Sequence, residues 1–269
     1  MPYPVAAIRG HWTSAVAAFV PTGIAGLQLW LDGSDITTLY TDSAKTTPVT
    51  SDGDVVGAWA DKSGNGNDAV QATTADKPLY KTAIQNGKSI VRFDGADDYL
   101  NCGDVFAPGA QISVFALCKF SDVTADHVVI ADWDYPNNER SWGFLYDEIG
   151  AEDDLNLRTN TNGLVGGQRE NLFGGSPGNA NFKLYSILFN AGTITAWING
   201  GSSAVTSDPD QPGSLLDGNL ILIGAFGNAT TRTSYMLGDI TEILVYDTAL
   251  SAENRVSVEN YLNKKWGVY

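Results

Sequence analysis

Apolar and polar residues alternate along most of this chain. In GLQLWLDGSD, Leu27, Leu29 and Leu31 alternate with Gln28, Trp30 and Asp32, and turn residues follow at once. A half-buried strand requires that period of two, because successive side chains point to opposite faces of a sheet. Similar runs predict strands at 89–95, 111–120, 127–133, 141–147, 154–159, 182–190, 193–200, 219–226 and 239–247. Nearly all of them end in Gly, Asn or Asp, residues that tolerate the dihedrals of tight turns. Many short strands bounded in this way predict a sandwich or a barrel. Ala191-Gly192 separates two of the runs, a hairpin connection that sets their register.

Both ends depart from the pattern. Residues 1–24 have no clear period and hold Pro2, Pro4 and Pro21. They read as an extended arm, with Trp12, Val16 and Phe19 as hydrophobic docking points, ahead of one domain over 25–269. A helix is predicted to start after Ser251, which with Asn254 makes an N-cap but no full capping box, since Glu253 lies one position early. Val256, Val258, Tyr261, Leu262 and Trp266 give this helix an apolar face, expected to cover one end of a sandwich. In GDITEILVYD, Ile240, Ile243, Val245 and Tyr246 are expected to feed the core, while Asp239, Glu242 and Asp247 interrupt it.

The chain has 269 residues, 43% hydrophobic and 17% charged, which suits one large folded β domain. Its net charge of -15, from Asp+Glu 31 against Lys+Arg 16, opposes binding to nucleic acid, because there is no basic surplus to release counterions. The same balance gives an acidic surface and supplies carboxylates for Ca²⁺. Cys102 and Cys118 are too few for a disulfide framework and lack zinc-ligand spacing, so buried free thiols are expected. The apolar stretch SAVAAFVPTGIAG is interrupted by Pro21 and preceded by only Arg9 as a positive charge. It is too short for a membrane span and makes a weak secretory signal, so no membrane insertion is expected. A chain beginning at Met1 with a docking arm points towards an oligomer or a larger assembly.

Four segments together resemble one family: GAWADKSGNGNDAVQ (57–71), SIVRFDGADDYLNCG (89–103), YSILFNAGTITAWING (185–200) and LGDITEILVYDTALSAENRVSVENYLNKKWG (237–267). In this order they look like the laminin-G-like branch of concanavalin A-like lectin/glucanase domains, over about residues 24–267. That branch occurs in bacterial extracellular proteins and in tailed-phage structural proteins. The resemblance implies an all-β fold, a two-sheet antiparallel jelly-roll sandwich with a short C-terminal helix and an extended N-terminal arm. It is much less specific to function, since one fold hosts many activities.

Candidate chemistry falls into three groups. A glycosidase needs two carboxylates across the sugar, about 5 to 9.5 Å apart. The nearest match to the acidic strand pattern of the glucanase branch, DEIGAEDDLNL with Glu148, Glu152 and Asp154, brackets a glycine-containing turn and reads as an exposed acidic turn. A lyase would want a Tyr or His base beside a neutralising Arg, Gln or Asn; the two histidines are His11, in the arm, and His127, which reads as an edge residue opening an apolar strand. No nucleophile elbow is present, so no catalytic residue is assigned. Structural Ca²⁺ is the second possibility, with Asp94, Asp97 and Asp98 joined by Asn67 or Asp68; the alternative is that these are simple turn-forming residues. The third is a glycan-recognition loop, DWDYPNNERSW, with Trp133, Tyr135, Asn137, Asn138, Arg140 and Trp142. In the alternative to that reading, Trp133 and Trp142 end adjoining strands and pack into the sandwich.

The expectation for function is a non-enzymatic structural or adhesion protein on the surface of a phage virion. Its lectin-like face would bind polysaccharide or another glycan, and its arm would bind other virion proteins. The alternatives are a secreted, extracellular bacterial carbohydrate-binding module, and a glycoside hydrolase or polysaccharide lyase.

Overall fold

The computed structural model describes residues 19–104, 109–134, 139–147, 154–159, 168–173, 181–201, 203–207, 215, 220–227 and 231–269. In chain order its strands are β1 (Leu27–Asp32), β2 (Leu39–Tyr40), β3 (Ala58–Trp59), β4 (Ala69–Val70), β5 (Leu79–Gln85), β6 (Lys88–Asp94) and β7 (Leu100–Gly103). They continue with β8 (Gln111–Phe120), β9 (His127–Asp134), β10 (Glu139–Asp147), β11 (Asp154–Thr159), β12 (Gln168–Phe173) and β13 (Lys183–Asn190). Then come β14 (Thr193–Ile198), β15 (Ser203–Ser207), β16 (Ile221–Ile223), β17 (Phe226–Gly227), β18 (Arg232–Thr233) and β19 (Leu237–Tyr246), followed by the helix α1 (Ala252–Trp266).

Two large antiparallel sheets face each other. The first has the order β15-β14-β13-β8-β19-β6-β5, and the second the order β12-β11-β10-β9-β16-β7-β4-β3-β2. In the first sheet β6 pairs with β19 from Leu237 to Ile240 and β1 pairs with it from Glu242 to Tyr246, so the two share one edge end to end. The sandwich expected from the sequence is the fold observed. Alternating residues of both sheets form the core, including Leu29, Phe93, Val114 and Ile187 from the first and Trp59, Ile130, Trp142 and Phe144 from the second. Each such side chain contributes about 1.5–3 kcal/mol on full burial.

A β-bulge governs what the longest central strand presents. The pairing of β19 with β8 slips between Ile240 and Glu242, and Thr241 Oγ1 donates to the Leu117 carbonyl at 2.8 Å. The extra residue puts Ile240, Ile243 and Val245 on the core face despite their uneven spacing. Glu242, Leu244 and Tyr246 turn to the other side, so Tyr246, expected in the core between the sheets, belongs to the outer cluster instead.

The helix also sits elsewhere than expected. It covers the outer face of the first sheet rather than an end of the sandwich, burying Val258, Leu262 and Trp266 against Trp30, Ile90, Phe115, Leu117, Leu184 and Leu244. Val256 stays 41% exposed, off the packed face. Ser251 Oγ accepts from the Asn254 amide at 3.2 Å, as the cap requires. At the other end Gly267, with φ 62°, ends the helix in the left-handed conformation. The tip of the β5–β6 hairpin supplies further caps: Gln85 Nε2 donates to the Trp266 carbonyl at 2.8 Å and Asn86 Nδ2 to the Lys265 carbonyl at 3.0 Å.

Packing has begun by Pro21, which is buried and whose carbonyl accepts from the Tyr246 hydroxyl at 3.2 Å. Ile24 joins the outer cluster. Of the proposed arm residues, Trp12 and Val16 lie outside the described residues, and Phe19 packs its ring 5.9 Å from that of Tyr261 on α1.

Candidate functional site

Four buried acids are committed to holding the fold. Glu242 is fully buried beneath α1, where its carboxylate accepts from Trp30 Nε1 at 2.8 Å, Tyr261 Oη at 2.8 Å, Lys265 Nζ at 2.7 Å and Trp266 Nε1 at 2.6 Å. Burial and the neighbouring Asp32 push the Glu242 carboxyl up, and Lys265 partly offsets them. Asp32 pairs with Lys62 at 2.8 Å and Lys265 at 2.6 Å. Burial works against its charge, but the two ammonium groups hold it below the usual carboxylate range. Asp239 pairs with Arg92 at 2.6 and 2.9 Å, and Glu259 with Arg255 at 2.5 Å. These carboxylates are buried and each is taken up by a basic partner within the fold.

The acids of the β6–β7 turn are different. Asp94, Asp97 and Asp98 each offer a carboxylate oxygen within 4.8 Å of the others. The turn is shaped by its own backbone: Asp94 Oδ1 accepts from the amides of Ala96 at 2.8 Å and Asp97 at 3.3 Å, and Asp98 Oδ2 from the Asp94 amide at 2.9 Å. Asp94 and Asp97 are exposed, while Asp98 is only 4% exposed. Burial first, then the Asp94 charge, raises the Asp98 carboxyl to about 7. Burial, Asp94 and Asp76 raise Asp97 as well.

Beside this turn lie two tyrosines and an arginine on the outer side of the second sheet. The Arg232 guanidinium sits 3.8 Å from the centroid of the Tyr99 ring. The Tyr99 amide donates to the Asp76 carbonyl at 3.2 Å. Tyr235, half-buried, packs against Tyr99, Leu222 and Ala225. Burial raises its hydroxyl pKa; Arg232 opposes this, and Tyr99, Asp76 and Asp97 add to it. The β17–β18 hairpin carries Arg232 to this place, and Phe226 anchors it 5.5 Å from the Trp133 ring. Gly143 permits that seating, since a Cβ there would lie 2.6 Å from Phe226 Cε1. The result is a patch of acids, one guanidinium and two phenol rings.

Several residues expected at a site do other work. Trp142 is fully buried in the core between the sheets and Trp133 is 5% exposed beneath Phe226, so neither offers a platform to a sugar. Trp142 points into the core between the sheets, whereas Trp133 lies on the outer face of the second sheet and is covered there by Phe226. Tyr135, Asn137 and Asn138 lie outside the described residues; Arg140 is placed only through its backbone pairing with Trp133. Asn67 and Asp68 do not join the acidic turn. The Asn67 amide donates to Asp61 Oδ2 at 3.0 Å and its Nδ2 to the Gln28 carbonyl at 2.8 Å, while Asp68 accepts from the Asp61 amide at 2.8 Å and pairs with Lys45. They brace the 61–68 loop against β1.

His127 lies on an inner strand, not at an edge: β9 pairs with both β10 and β16. It is 3% exposed, grouped with the rings of Phe120 and Tyr146, with Nδ1 2.8 Å from the Tyr235 carbonyl oxygen. His11, Glu148 and Glu152 lie outside the described residues. The described ends of β10 and β11 pair at Asp147 and Asp154. Cys102 and Cys118 are free and buried, and burial pushes both thiols well above their ordinary range. Sequence reasoning did not place Tyr99 at a site, and it missed Arg232 and Tyr235, whose segment TRTSYM carries no periodicity to mark it.

Residues 94–254 match the model of a laminin-G family described as the concanavalin A-like lectin/glucanases superfamily. Among solved structures, the chain resembles the Trypanosoma rangeli sialidase in complex with sialic acid, with a TM-score of 0.50, 13% identity and coverage of 90% of this chain and 33% of the other. It resembles a GH54 α-L-arabinofuranosidase soaked with a cyclic sulfate inhibitor, with a TM-score of 0.50, 16% identity and coverage of 77% and 50%. Domain 4 of AbnA, a GH43 extracellular arabinanase from Geobacillus stearothermophilus, in complex with arabinotriose, gives a TM-score of 0.45, 12% identity and coverage of 87% and 98%. Identities this low speak to the fold alone. The chain spans 33% of the sialidase and 50% of the arabinofuranosidase. No curated protein sequence matches it.

Proposed function

The chain belongs to the concanavalin A-like lectin/glucanase superfamily, and on that footing we propose that it is a non-enzymatic glycan-binding module. The observation that carries this reading is the patch in which Asp94, Asp97 and Asp98 meet Tyr99, Arg232 and Tyr235. The half-buried ring of Tyr235 offers an apolar surface to the C–H face of a sugar. Carboxylates accept from hydroxyls, and the Arg232 guanidinium donates to ring or hydroxyl oxygens. A hydrolase needs its carboxyl groups on opposite sides of the sugar, about 5 to 9.5 Å apart. In the patch one carboxylate oxygen from each of Asp94, Asp97 and Asp98 lies within 4.8 Å of the others, all on one turn rather than on two facing walls.

The donor set also fits a hard cation. Ca²⁺ takes about six to eight oxygens, and Asp94, Asp97 and Asp98 would hold it with backbone oxygens or water. The ion would relieve the repulsion that raises Asp98 and offer coordination positions to sugar hydroxyls.

For the site of display we propose a phage particle, anchored by the segment ahead of Phe19. The chain enters the body against α1, on the outer side of the first sheet, whereas the patch lies on the outer side of the second. An anchor on one side and a binding patch on the other suit a decoration or fibre component. Finding the chain in purified particles supports this placement; finding it only free in the medium contradicts it. The binding reading is tested on a glycan array. Tyr235→Ala is expected to weaken the strongest signals about tenfold, within the ~1–3 kcal/mol range of a stacked aromatic. Unchanged signals would remove Tyr235 from the site.

A further inference from the structure

A groove on the opposite side of the molecule from the patch has the opposite charge. It encloses about 630 Å³ between α1 and the β5–β6 turn, within the usual size range of ligand sites. Lys88 and Lys264 line it, and neither forms an ion pair with a described acid. Among the described residues no carboxylate lines the groove, although the chain as a whole carries a charge of -15. Lys265 contributes its stem, because its ammonium turns inward to Asp32 at 2.6 Å and Glu242 at 2.7 Å. Phe19 and Tyr261 supply an aromatic pair with planes 52° apart, and Asn86 and Asn260 supply amides.

The groove is held in shape before any ligand arrives. The β5–β6 turn places Asn86 and Gly87 at φ 49° and 67°, the left-handed pair of a tight hairpin. Its tip is hydrogen-bonded to the end of α1 through Gln85 and Asn86, so both walls are tied together. Preorganised walls spare a ligand the cost of ordering them.

We infer that this groove binds an anionic glycan segment, one carrying uronate or sulfate groups. The two unpaired ammonium groups attract the acidic substituents, the rings of Phe19 and Tyr261 face sugar C–H surfaces, and the amides reach hydroxyls. This goes beyond the patch proposed above and stands independently of it. A long polyanion is disfavoured, because the acidic surface outside the groove repels its flanks.

Calorimetric titration of the full chain with trigalacturonate, and with uncharged galactotriose as control, tests the assignment. Trigalacturonate is expected to bind, and Lys88→Gln with Lys264→Gln is expected to weaken it about five- to tenfold, as loss of two partly exposed charge contacts predicts. Salt at about 0.5 M is expected to weaken it further. Both lysines are solvent-accessible, so the melting temperature of the double variant is expected to stay at the wild-type value. Tyr235→Ala leaves this binding unchanged, which separates its failure from failure of the patch. Equal binding of galactotriose, no effect of the double variant, or equal competition by an oligonucleotide of matched charge would overturn the inference.

Discussion

Glu242 lies where hydrophobic burial alone would not place a carboxylate. It is tolerated because two indoles, a phenol and an ammonium all donate to it. Removing one partner of such a buried set leaves the others uncompensated, so Glu242→Ala is expected to cost about 3–5 kcal/mol in urea unfolding followed by tryptophan fluorescence. A loss below about 1 kcal/mol would show that the set does not clasp α1. Asp98 makes a prediction of the opposite kind. Its carboxyl rises from 3.8 to about 7 on folding, so over that window the native state binds the proton more tightly than the unfolded chain. Stability of the ion-free protein therefore falls as pH rises through the window. Asp98→Asn is expected to flatten that slope in melts with EDTA, and Ca²⁺ is expected to raise the wild-type melting temperature at neutral pH. Equal slopes in the two proteins would contradict the assignment, and a melt insensitive to Ca²⁺ would remove the ion. Neither environment was legible locally: Glu242 reads as an interruption of the core until the bulge at Thr241 turns it outward.

The major strands were legible because their apolar alternation or length survives without tertiary knowledge, as β1, β8 and β13 illustrate. Besides β7, β12, β15 and β18, the strands that escaped notice are of two kinds. Strands β2, β3 and β4 span two residues each, too few for a period, and β5 carries one buried residue among seven, so it lacks the alternation. Its turn does carry a signal, Asn86-Gly87, the usual mark of a tight hairpin. The position of α1 had a signal too. Near-continuous apolar runs such as ISVFALC and ILVY indicate strands covered on both faces, and α1 is the outer cover of the first sheet. The β17–β18 hairpin is seated on the second sheet by a close approach at Gly143. Gly143→Ala would drive a Cβ into Phe226, and is expected to destabilise by about 1–3 kcal/mol and to weaken glycan binding, because Arg232 rides on that hairpin. A variant with wild-type stability and binding would show that the hairpin is not seated there.

At the scale of the molecule, the fold was legible and the site only in part. Four motifs spread over most of the chain specify the sandwich together, since each supplies a turn or strand that the others need. The acidic turn was visible as three aspartates within five residues. Its partners were not, because Tyr99, Arg232 and Tyr235 meet only when the second sheet and its covering hairpin are assembled. The resulting molecule carries an acidic, aromatic patch beyond one sheet and a lysine-lined groove beyond the other, with buried ion pairs holding the helix between the groove and the sandwich. The central claim is binding without turnover at the patch. The glycan giving the strongest array signal, titrated by calorimetry and then assayed for new reducing ends and unsaturated products, tests it most directly. The account predicts a saturable heat that Tyr235→Ala abolishes or weakens about tenfold, with the glycan recovered intact. Cleaved product, or binding indifferent to Tyr235, would contradict it.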